Sequence, residues 1–258
     1  MAGLAERKID ERRRRLIEEI TRDPAIMIRE LASKLNVSRE TVRRDFDALC
    51  DSGQLQRRYG GAVFLPMGNP QSFEARQDKH VQERKAIARR AQGLLEEDQV
   101  VMLGPGTTAL LFATELAEAA KRLTIITNGI QEALTLAKND SLRVVLAPGE
   151  VDRLEGFAWG HETTEFISRF NADLTVFFAD GLAARGVSEA DPRTVGVIQT
   201  MLRQSTKNML LIDHFRFGRQ GLQQLCTLDE LDAVVSDRRP DRELQAELER
   251  KGVSLYAA

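Results

Sequence analysis

The sequence predicts an α/β protein in two parts, a small helical module followed by a larger domain with a mainly parallel sheet. The length of 258 residues suits one small module and one larger domain better than a single core. Beyond residue 95, short apolar runs alternate with helical patterns, which is typical of a parallel sheet covered on both faces. The charge also divides, because residues 1–60 carry a net charge of +3 and the remainder a net charge of −5.

Composition excludes several classes of protein. With 42% hydrophobic and 29% charged residues, the chain is too apolar to be disordered. No apolar run approaches the roughly 20 residues of a membrane span, and the charged N-terminus is unlike a secretory signal. Cys50 and Cys226 are too few for a disulfide framework or a cysteine-ligated zinc site. We therefore expect a cytoplasmic protein with no bound metal or cofactor.

Residues 1–65 are predicted to form three helices and a strand pair. The helices are predicted over residues 9–20, 28–35 and 39–50, and the strands over residues 54–58 and 62–65. Ser38 is a favourable N-cap for the third helix. This order of elements is that of a winged helix-turn-helix DNA-binding domain, with its helix-turn-helix motif at about residues 26–45.

The third predicted helix suits the major groove of DNA. Its apolar stripe faces the core and leaves Arg39 and Arg43 together on the exposed face, where arginine is well matched to guanine O6 and N7. Thr41 is placed to meet a thymine methyl group or a phosphate. The helix N-terminus at Ser38 offers free N–H groups to a phosphate.

The strand pair would form the wing of this domain. Arg57, Arg58 and Tyr59 lie at its tip, where they could contact the DNA backbone or an adjacent minor groove.

The alternative to DNA binding is that the third helix is simply a solvated charged helix with a Glu40–Arg44 ion pair. Most of the arginine run at 12–15 is also expected to be solvated. The agreement of turn, cap and wing favours DNA binding.

Residues 66–75 are predicted to be a linker, and residues 76–258 an α/β domain. A long charged helix is predicted over residues 73–95. Six apolar runs are predicted as strands, at residues 100–103, 123–127, 142–146, 174–178, 209–212 and 233–236. Helices are predicted between most of them, at residues 107–120, 130–137, 163–170, 194–205 and 241–251.

The turn Gly104-Pro105-Gly106-Thr107-Thr108 joins a predicted strand to a predicted helix. Two facts count against a dinucleotide fingerprint: Pro105 has no N–H, and the next strand ends at Asn128 without an acidic residue. A Walker-type phosphate loop is excluded because no Lys-Ser/Thr pair follows. The turn could bind a single phosphate at the helix N-terminus, or Thr107 could simply cap the helix.

The sequence resembles the DeoR family of bacterial transcriptional regulators, also called the DeoR/GlpR type. In the first module the resemblance rests on three motifs: Arg12-x3-Leu16-x3-Ile20, Ser38-x2-Thr41-Val42-Arg43-Arg44-Asp45-Phe46 and Arg57-Arg58-Tyr59-Gly60-Gly61-Ala62. Tyr59 stands where the family usually has His. The resemblance implies that Ser38, Thr41, Arg43 and Arg44 contact DNA and that Asp45 stabilises the module.

The resemblance continues through the larger domain. It rests on Glu83-Arg84-Lys85-x-Ile87-Ala88, Gly106-Thr107-Thr108, Thr127-Asn128, Pro148-Gly149-Glu150, Gly160, Asp180-Gly181 and Asp213-His214-Phe215-Arg216-Phe217-Gly218-Arg219. It implies a Rossmann-like, phosphosugar-isomerase-like domain that binds a sugar or polyol phosphate or a related metabolite above the carboxyl ends of the strands. The implied ligand-binding residues are Gly106, Thr107, Thr108, Asn128, Gly149, Glu150, Asp180 and Gly181.

Three positions of the larger domain depart from the family pattern. Gly104 stands where the family commonly has Asp, and Thr194 and Ile198 stand where it commonly has Glu and Lys. Loss of the Lys removes a charge well suited to phosphate. The effector could therefore be a sugar or polyol phosphate, an unphosphorylated compound, or absent.

The main functional hypothesis is a DNA-binding transcriptional regulator, a repressor of a sugar or polyol catabolic operon that a small metabolite modulates. Two-fold operators imply a homo-oligomer, a dimer or a tetramer. No catalytic residue is predicted. One alternative is a sugar-phosphate isomerase- or deaminase-like enzyme with an accessory DNA-binding module. The other is a constitutive DNA-binding protein with a vestigial pocket.

Overall fold

The computed structural model describes residues 2–22, 26–51, 55–57, 64–66, 77, 80–153 and 155–258. The chain divides into two compact units, the first formed mainly by residues 1–71 and the second by most of the remainder. Among the described residues, no helix is both long enough and apolar enough to cross a membrane.

The described residues of the first unit form three helices and a strand pair, as predicted. The helices are α1 (Ala2–Arg22), α2 (Ile28–Leu35) and α3 (Arg39–Asp51), and the strands are β1 (Leu55–Arg57) and β2 (Phe64–Pro66). β1 and β2 pair antiparallel, with Gln56 opposite Leu65. Leu16, Leu31 and Phe46 are almost fully buried between the helices, and each such side chain contributes about 1.5–3 kcal/mol by leaving water.

One ionic contact in this unit differs from the expectation for the arginine run. Asp45 of α3 is only 4% exposed, and it accepts hydrogen bonds from Arg12 Nη2 at 3.1 Å and Arg13 Nε at 3.2 Å. The expectation of a solvated face is therefore wrong for Arg12 and Arg13, whereas Arg14 and Arg15 are exposed. A carboxylate buried this deeply needs cationic partners, so the pairs join α1 to α3.

The second unit is built on a seven-stranded sheet in which every neighbouring pair is parallel. Its strands are β3 (Val100–Leu103), β4 (Leu123–Thr127), β5 (Leu142–Leu146), β8 (Ala172–Phe177), β11 (Ser205–Leu211), β13 (Ala233–Ser236) and β14 (Ser254–Ala257). They lie in the sheet in the order β14-β13-β11-β8-β3-β4-β5. The α-helices placed by the described residues are α4 (Val81–Gln92), α5 (Thr107–Ala117), α6 (Ile130–Leu136), α7 (His161–Ile167), α8 (Pro192–Arg203) and α9 (Arg242–Arg250). The predicted fold class is confirmed.

Short antiparallel strands are inserted between these elements. The hairpin of β6 (Glu150–Asp152) and β7 (Phe157–Trp159) is one insertion, and β9 (Gly181–Ala183), β10 (Gly186–Glu189) and β12 (Gln223–Cys226) form another. None of these strands was predicted.

Both faces of the main sheet are buried. Met102 and Phe177 belong to one apolar cluster, and Val101, Leu103 and Val176 belong to the other. This alternation along β3 and β8 explains why the central strands read as continuous apolar runs.

The helix predicted over residues 73–95 differs in its start. Gln77 is helical, but the helix α4 starts at Val81, directly after His80, whose φ is +50°. A residue in this left-handed conformation cannot continue an α-helix. Residues 73–76, 78 and 79 lie outside the described residues.

Candidate functional site

The third helix of the first unit begins with a side-chain cap. Ser38 Oγ accepts a hydrogen bond from the Thr41 N–H at 3.0 Å and lies 2.9 Å from Thr41 Oγ1. α2 ends one turn earlier at Asn36, whose φ of +52° is left-handed, and this permits the tight reversal between the helices. The predicted N-cap is confirmed, and both hydroxyl groups sit at the start of α3.

The outward face of α3 is cationic. Arg39 and Arg43 are exposed, and neither has a carboxylate partner within the described part of the chain. Arg44 is 81% exposed, with its Nε 3.7 Å from Glu40 Oε1. Such surface pairs contribute little, so Arg44 remains available to another anion. Val42 and Phe46 hold the opposite face in the core.

The predicted wing residues are only partly covered. Arg57 lies in β1, and its backbone alone is described. Arg58 and Tyr59 lie outside the described residues. DNA contact by these three residues stays a prediction.

The second candidate site lies at the carboxyl edge of the main sheet. β11, β8, β3 and β4 are consecutive strands, and because they are parallel their carboxyl ends meet at one edge. The loops that leave these ends begin near Asp213, Asp180, Gly104 and Asn128, respectively. Asp180 and Asn128 were predicted ligand residues, and the fold brings both of them to this edge of the sheet.

The Gly104–Thr108 turn is occupied by a carboxylate from within the protein. The Gly106 N–H, at the start of α5, donates to Glu132 Oε1 at 3.0 Å. Glu132 lies in the first turn of α6 and is 1% exposed. Burial raises the pKa of Glu132 to about 7, against the opposing effect of the Gly106 hydrogen bond. The carboxylate therefore bridges the N-termini of two helices, where both dipoles favour negative charge.

Gly129 makes room for this carboxylate. A Cβ on Gly129 would lie 2.2 Å from Glu132 Oε2 and 2.6 Å from its Cδ. Any larger residue would therefore displace the Glu132 carboxylate. Sequence reasoning missed both residues, because an acidic residue in a first helical turn is common and nothing local connects it to Gly106.

Two of the three departures from the family pattern are neighbours in space. A Cβ on Gly104 would lie 2.6 Å from Ile198 Cδ1 on α8 and 3.6 Å from Phe177 Cβ. Ile198 is 1% exposed. An apolar side chain thus packs directly against the turn at Gly104, and the two departures form one contact.

A charged cluster lies beside Asp180. Arg216 pairs with Asp180, and its Nε lies 3.4 Å from Asp213 Oδ2. Burial alone would raise the pKa of Asp180, but a hydrogen bond with Glu189 and the charge of Arg216 lower that pKa to about 2. Burial and the Asp180 charge raise the pKa of Glu189 well above its usual value. The two neighbouring carboxyl groups therefore have pKa values displaced in opposite directions, with Asp180 held beside the Arg216 charge.

Two buried oxygens at this edge have no hydrogen-bond donor among the residues that the structure describes. Asn128 is fully buried and donates Nδ2 to the Ala158 carbonyl at 2.8 Å, but its Oδ1 has no partner. Asp213 is 7% exposed, and its Oδ1 likewise has no partner. An unpaired buried acceptor costs about 1–3 kcal/mol. The edge therefore offers two acceptors that a donor would stabilise.

Two of the other predicted ligand residues, Gly149 and Gly181, have structural reasons for their identities. A Cβ on Gly149 would lie 2.0 Å from Thr163 Oγ1, and one on Gly181 would lie 2.1 Å from the Arg219 carbonyl oxygen. Glu150 is exposed at the start of β6. Thr107 and Thr108 open α5 and are partly exposed. Ligand contact by these residues stays a prediction.

Two family models match the chain. The DeoR-like helix-turn-helix domain matches residues 12–66, and the DeoR C terminal sensor domain matches residues 79–238. The chain belongs to the DeoR family. The hypothesis of a transcriptional regulator with a helix-turn-helix domain and a sensor domain is confirmed.

Relatives of this DeoR-family chain align over nearly its whole length. The HTH-type transcriptional regulator GolR of Listeria innocua is 28% identical over 96% of this chain and 98% of its own. The glycerol-3-phosphate regulon repressor of Escherichia coli is 28% identical over 90% of this chain and 92% of its own. Ribose 5-phosphate isomerase A of Neisseria gonorrhoeae covers 52% of each chain at 14% identity with a TM-score of 0.39, too low to bear on activity.

Proposed function

We propose that the chain is a metabolite-responsive repressor of a sugar or polyol catabolic operon. The observation that carries the DNA-binding half is the outward face of α3, where Arg39 and Arg43 are exposed and unpaired among the described residues. Its relative in Escherichia coli is named a regulon repressor, which supports the sign of regulation. The protein acts in the cytoplasm, where the operator is.

Different residues of the first unit make different kinds of contact with DNA. Arg39 and Arg43 contact guanine edges in the major groove. Ser38, Thr41 and Arg44 contact phosphates or a thymine methyl group around the helix N-terminus. Arg57, Arg58 and Tyr59 contact the flanking backbone. The first group sets the sequence preference, and the other groups set the register and most of the salt dependence.

Regulation requires a homo-oligomer. A dimer or tetramer places two α3 helices on successive half-sites, about 34–36 Å apart. The metabolite binds one arrangement of the second unit more tightly than the other and shifts the population between them. A differential affinity of about 100-fold between the arrangements corresponds to about 2.7 kcal/mol of coupling.

The carboxyl edge of the sheet senses its ligand without converting it. Isomerisation of a sugar phosphate needs a general base free to remove a proton. Here Glu132 bonds the Gly106 N–H, and Asp180 pairs with Arg216. These contacts support a role for the carboxylates in holding loops and ligand.

The test is selection of random-sequence duplexes by the purified full chain at moderate salt. We expect enrichment of a sequence with two-fold symmetry and release of that duplex by a sugar, a polyol or one of their phosphate esters. Recovery of sequences without any shared motif would overturn the proposal. A reporter gene placed behind the selected sequence distinguishes repression from activation, because deleting a repressor raises expression of the reporter.

A further inference from the structure

The turn at the start of α5 differs from an open phosphate-binding turn. Its Gly106 N–H already bonds Glu132 Oε1 at 3.0 Å, and Gly129 lets the carboxylate lie close to the backbone of α6. Ile198 packs against the turn at Gly104. A phosphate that entered here would have to displace a carboxylate held by two helix N-termini, and it would be repelled while that carboxylate is charged.

Two arginines at this edge, Arg216 and Arg193, are paired with carboxylates. Arg216 pairs with Asp180 and lies beside Asp213. Arg193, in the first turn of α8, pairs with Asp152 and Asp191. A phosphate would therefore compete with carboxylates already present for each of these guanidinium groups.

Two unpaired atoms at this edge are acceptors. Within the described part of the chain, Asn128 Oδ1 and Asp213 Oδ1 have no donor, and each residue is more than nine-tenths buried. Ionised carboxylates accept hydrogen bonds, and so do phosphoryl oxygens, whereas each hydroxyl group can donate one. The chemical complement of these atoms is a ligand rich in hydroxyl donors.

Building on the function proposed above, we infer that the effector is an uncharged sugar or polyol without a phosphate group, and that Glu132 is the residue that excludes phosphate. Hydroxyl groups of the ligand donate to Asn128 Oδ1, Asp213 Oδ1 and Glu132. The Glu132 carboxylate takes the position at the start of α5 that a phosphate oxygen would otherwise occupy. The site thereby distinguishes a free sugar from its phosphate ester.

The first experiment compares matched pairs of probes on the wild-type full chain. Thermal-shift screening and calorimetry at pH 8 would use ribose, glucose, mannitol and sorbitol, each with its 5- or 6-phosphate, and inorganic phosphate. We expect at least one unphosphorylated compound to bind at least 10-fold more tightly than its own ester. A phosphate ester that binds more tightly than its parent compound overturns the inference, and so does a panel in which nothing binds.

The second experiment assigns the selectivity to Glu132. Glu132→Gln keeps the size of the side chain and an acceptor for the Gly106 N–H but removes the charge. We expect the preference for the unphosphorylated compound to fall at least fivefold, through tighter binding of the ester. Glu83→Gln is the matched control, because Glu83 has the same place in the first turn of α4, and its preference should equal that of the wild type.

Three outcomes keep these inferences distinct. Unchanged selectivity in Glu132→Gln overturns the role of Glu132 but leaves the ligand class standing, and the wild-type panel decides that class even where the variant does not fold. Operator binding is measured on the same preparations. If the wild type does not bind DNA sequence-specifically, the proposed function is contradicted. If it binds the operator but only phosphate esters release that DNA, this inference alone is contradicted.

Discussion

Two helices of the chain begin in different ways. α3 begins at Ser38, whose own hydroxyl bonds the N–H three residues along the chain. α5 begins at Gly106, whose N–H bonds a carboxylate 26 residues away on α6. A local cap leaves the outward side of α3 open to a large external partner. A long-range cap fills the start of α5 from inside the protein. A ligand can therefore enter only if it displaces the Glu132 carboxylate or forms hydrogen bonds with it.

The long-range cap also couples two elements. Because Glu132 bonds the start of α5 while it belongs to α6, a ligand that draws its carboxylate away alters both helix N-termini together. The local cap at Ser38 bonds only the start of its own helix and couples no second element to it. This difference is the one we expect if α3 binds DNA and the carboxyl edge of the sheet responds to a ligand.

The largest effect is expected for a contact made across the fold of the first unit. Asp45→Ala removes the buried carboxylate that joins α3 to α1 and should destabilise this unit by about 3 kcal/mol. Hydrogen exchange of α1–α3 measures the change. Glu40→Ala, an exposed carboxylate on the same helix, should change stability by less than about 0.5 kcal/mol. Equal effects of the two would remove the distinction between buried and surface pairs.

The second prediction concerns the long-range cap and pH. Glu132 titrates at about 7 in the folded chain against its usual 4.5, so the folded state holds a proton that the unfolded state has lost. Stability should therefore fall as pH rises from about 4.5 to about 7, by up to roughly 3 kcal/mol. Glu132→Gln should lack this component and be the more stable protein at pH 8.

Trp159 provides the measurement for that comparison. It is the single tryptophan of the chain and lies in β7 of the second unit, so its fluorescence in urea follows that unit. Glu189 also contributes to the pH dependence, since its pKa is raised, and for this reason the difference between variant and wild type is the quantity to compare. Parallel pH profiles for the two proteins would contradict the prediction.

The same comparison explains how far the sequence could be interpreted alone. The Ser38 cap and the buried Phe46 were predictable because their signals lie within a few residues. The apolar runs of the central strands were also predictable, since both of their faces are buried. β14 was missed because Ser254–Ala257 is a partly exposed edge strand without an apolar run. Glu132 was missed because only the folded sheet brings it to Gly106.

The third prediction tests the open face of α3. Arg43→Ala should cost about 1–3 kcal/mol on the selected operator and relax the preference at one base pair. Arg57→Ala should weaken binding to all duplexes alike, because a backbone contact carries no sequence information. Fluorescence anisotropy on the operator and on a scrambled duplex measures both. If the two variants lost affinity equally on both duplexes, base reading by Arg43 would be excluded.

The smallest effect is expected at the local cap, and it separates capping from DNA contact. Ser38→Ala should destabilise the first unit by about 1 kcal/mol, and Ser38→Asp should preserve stability, because aspartate caps as well as serine does. Aspartate also places a negative charge where a DNA phosphate would approach the start of α3. Ser38→Asp should therefore bind the operator more weakly than the wild type despite equal stability. If Ser38→Asp kept full affinity, no phosphate would lie at this helix N-terminus, and the open start of α3 would serve only the fold.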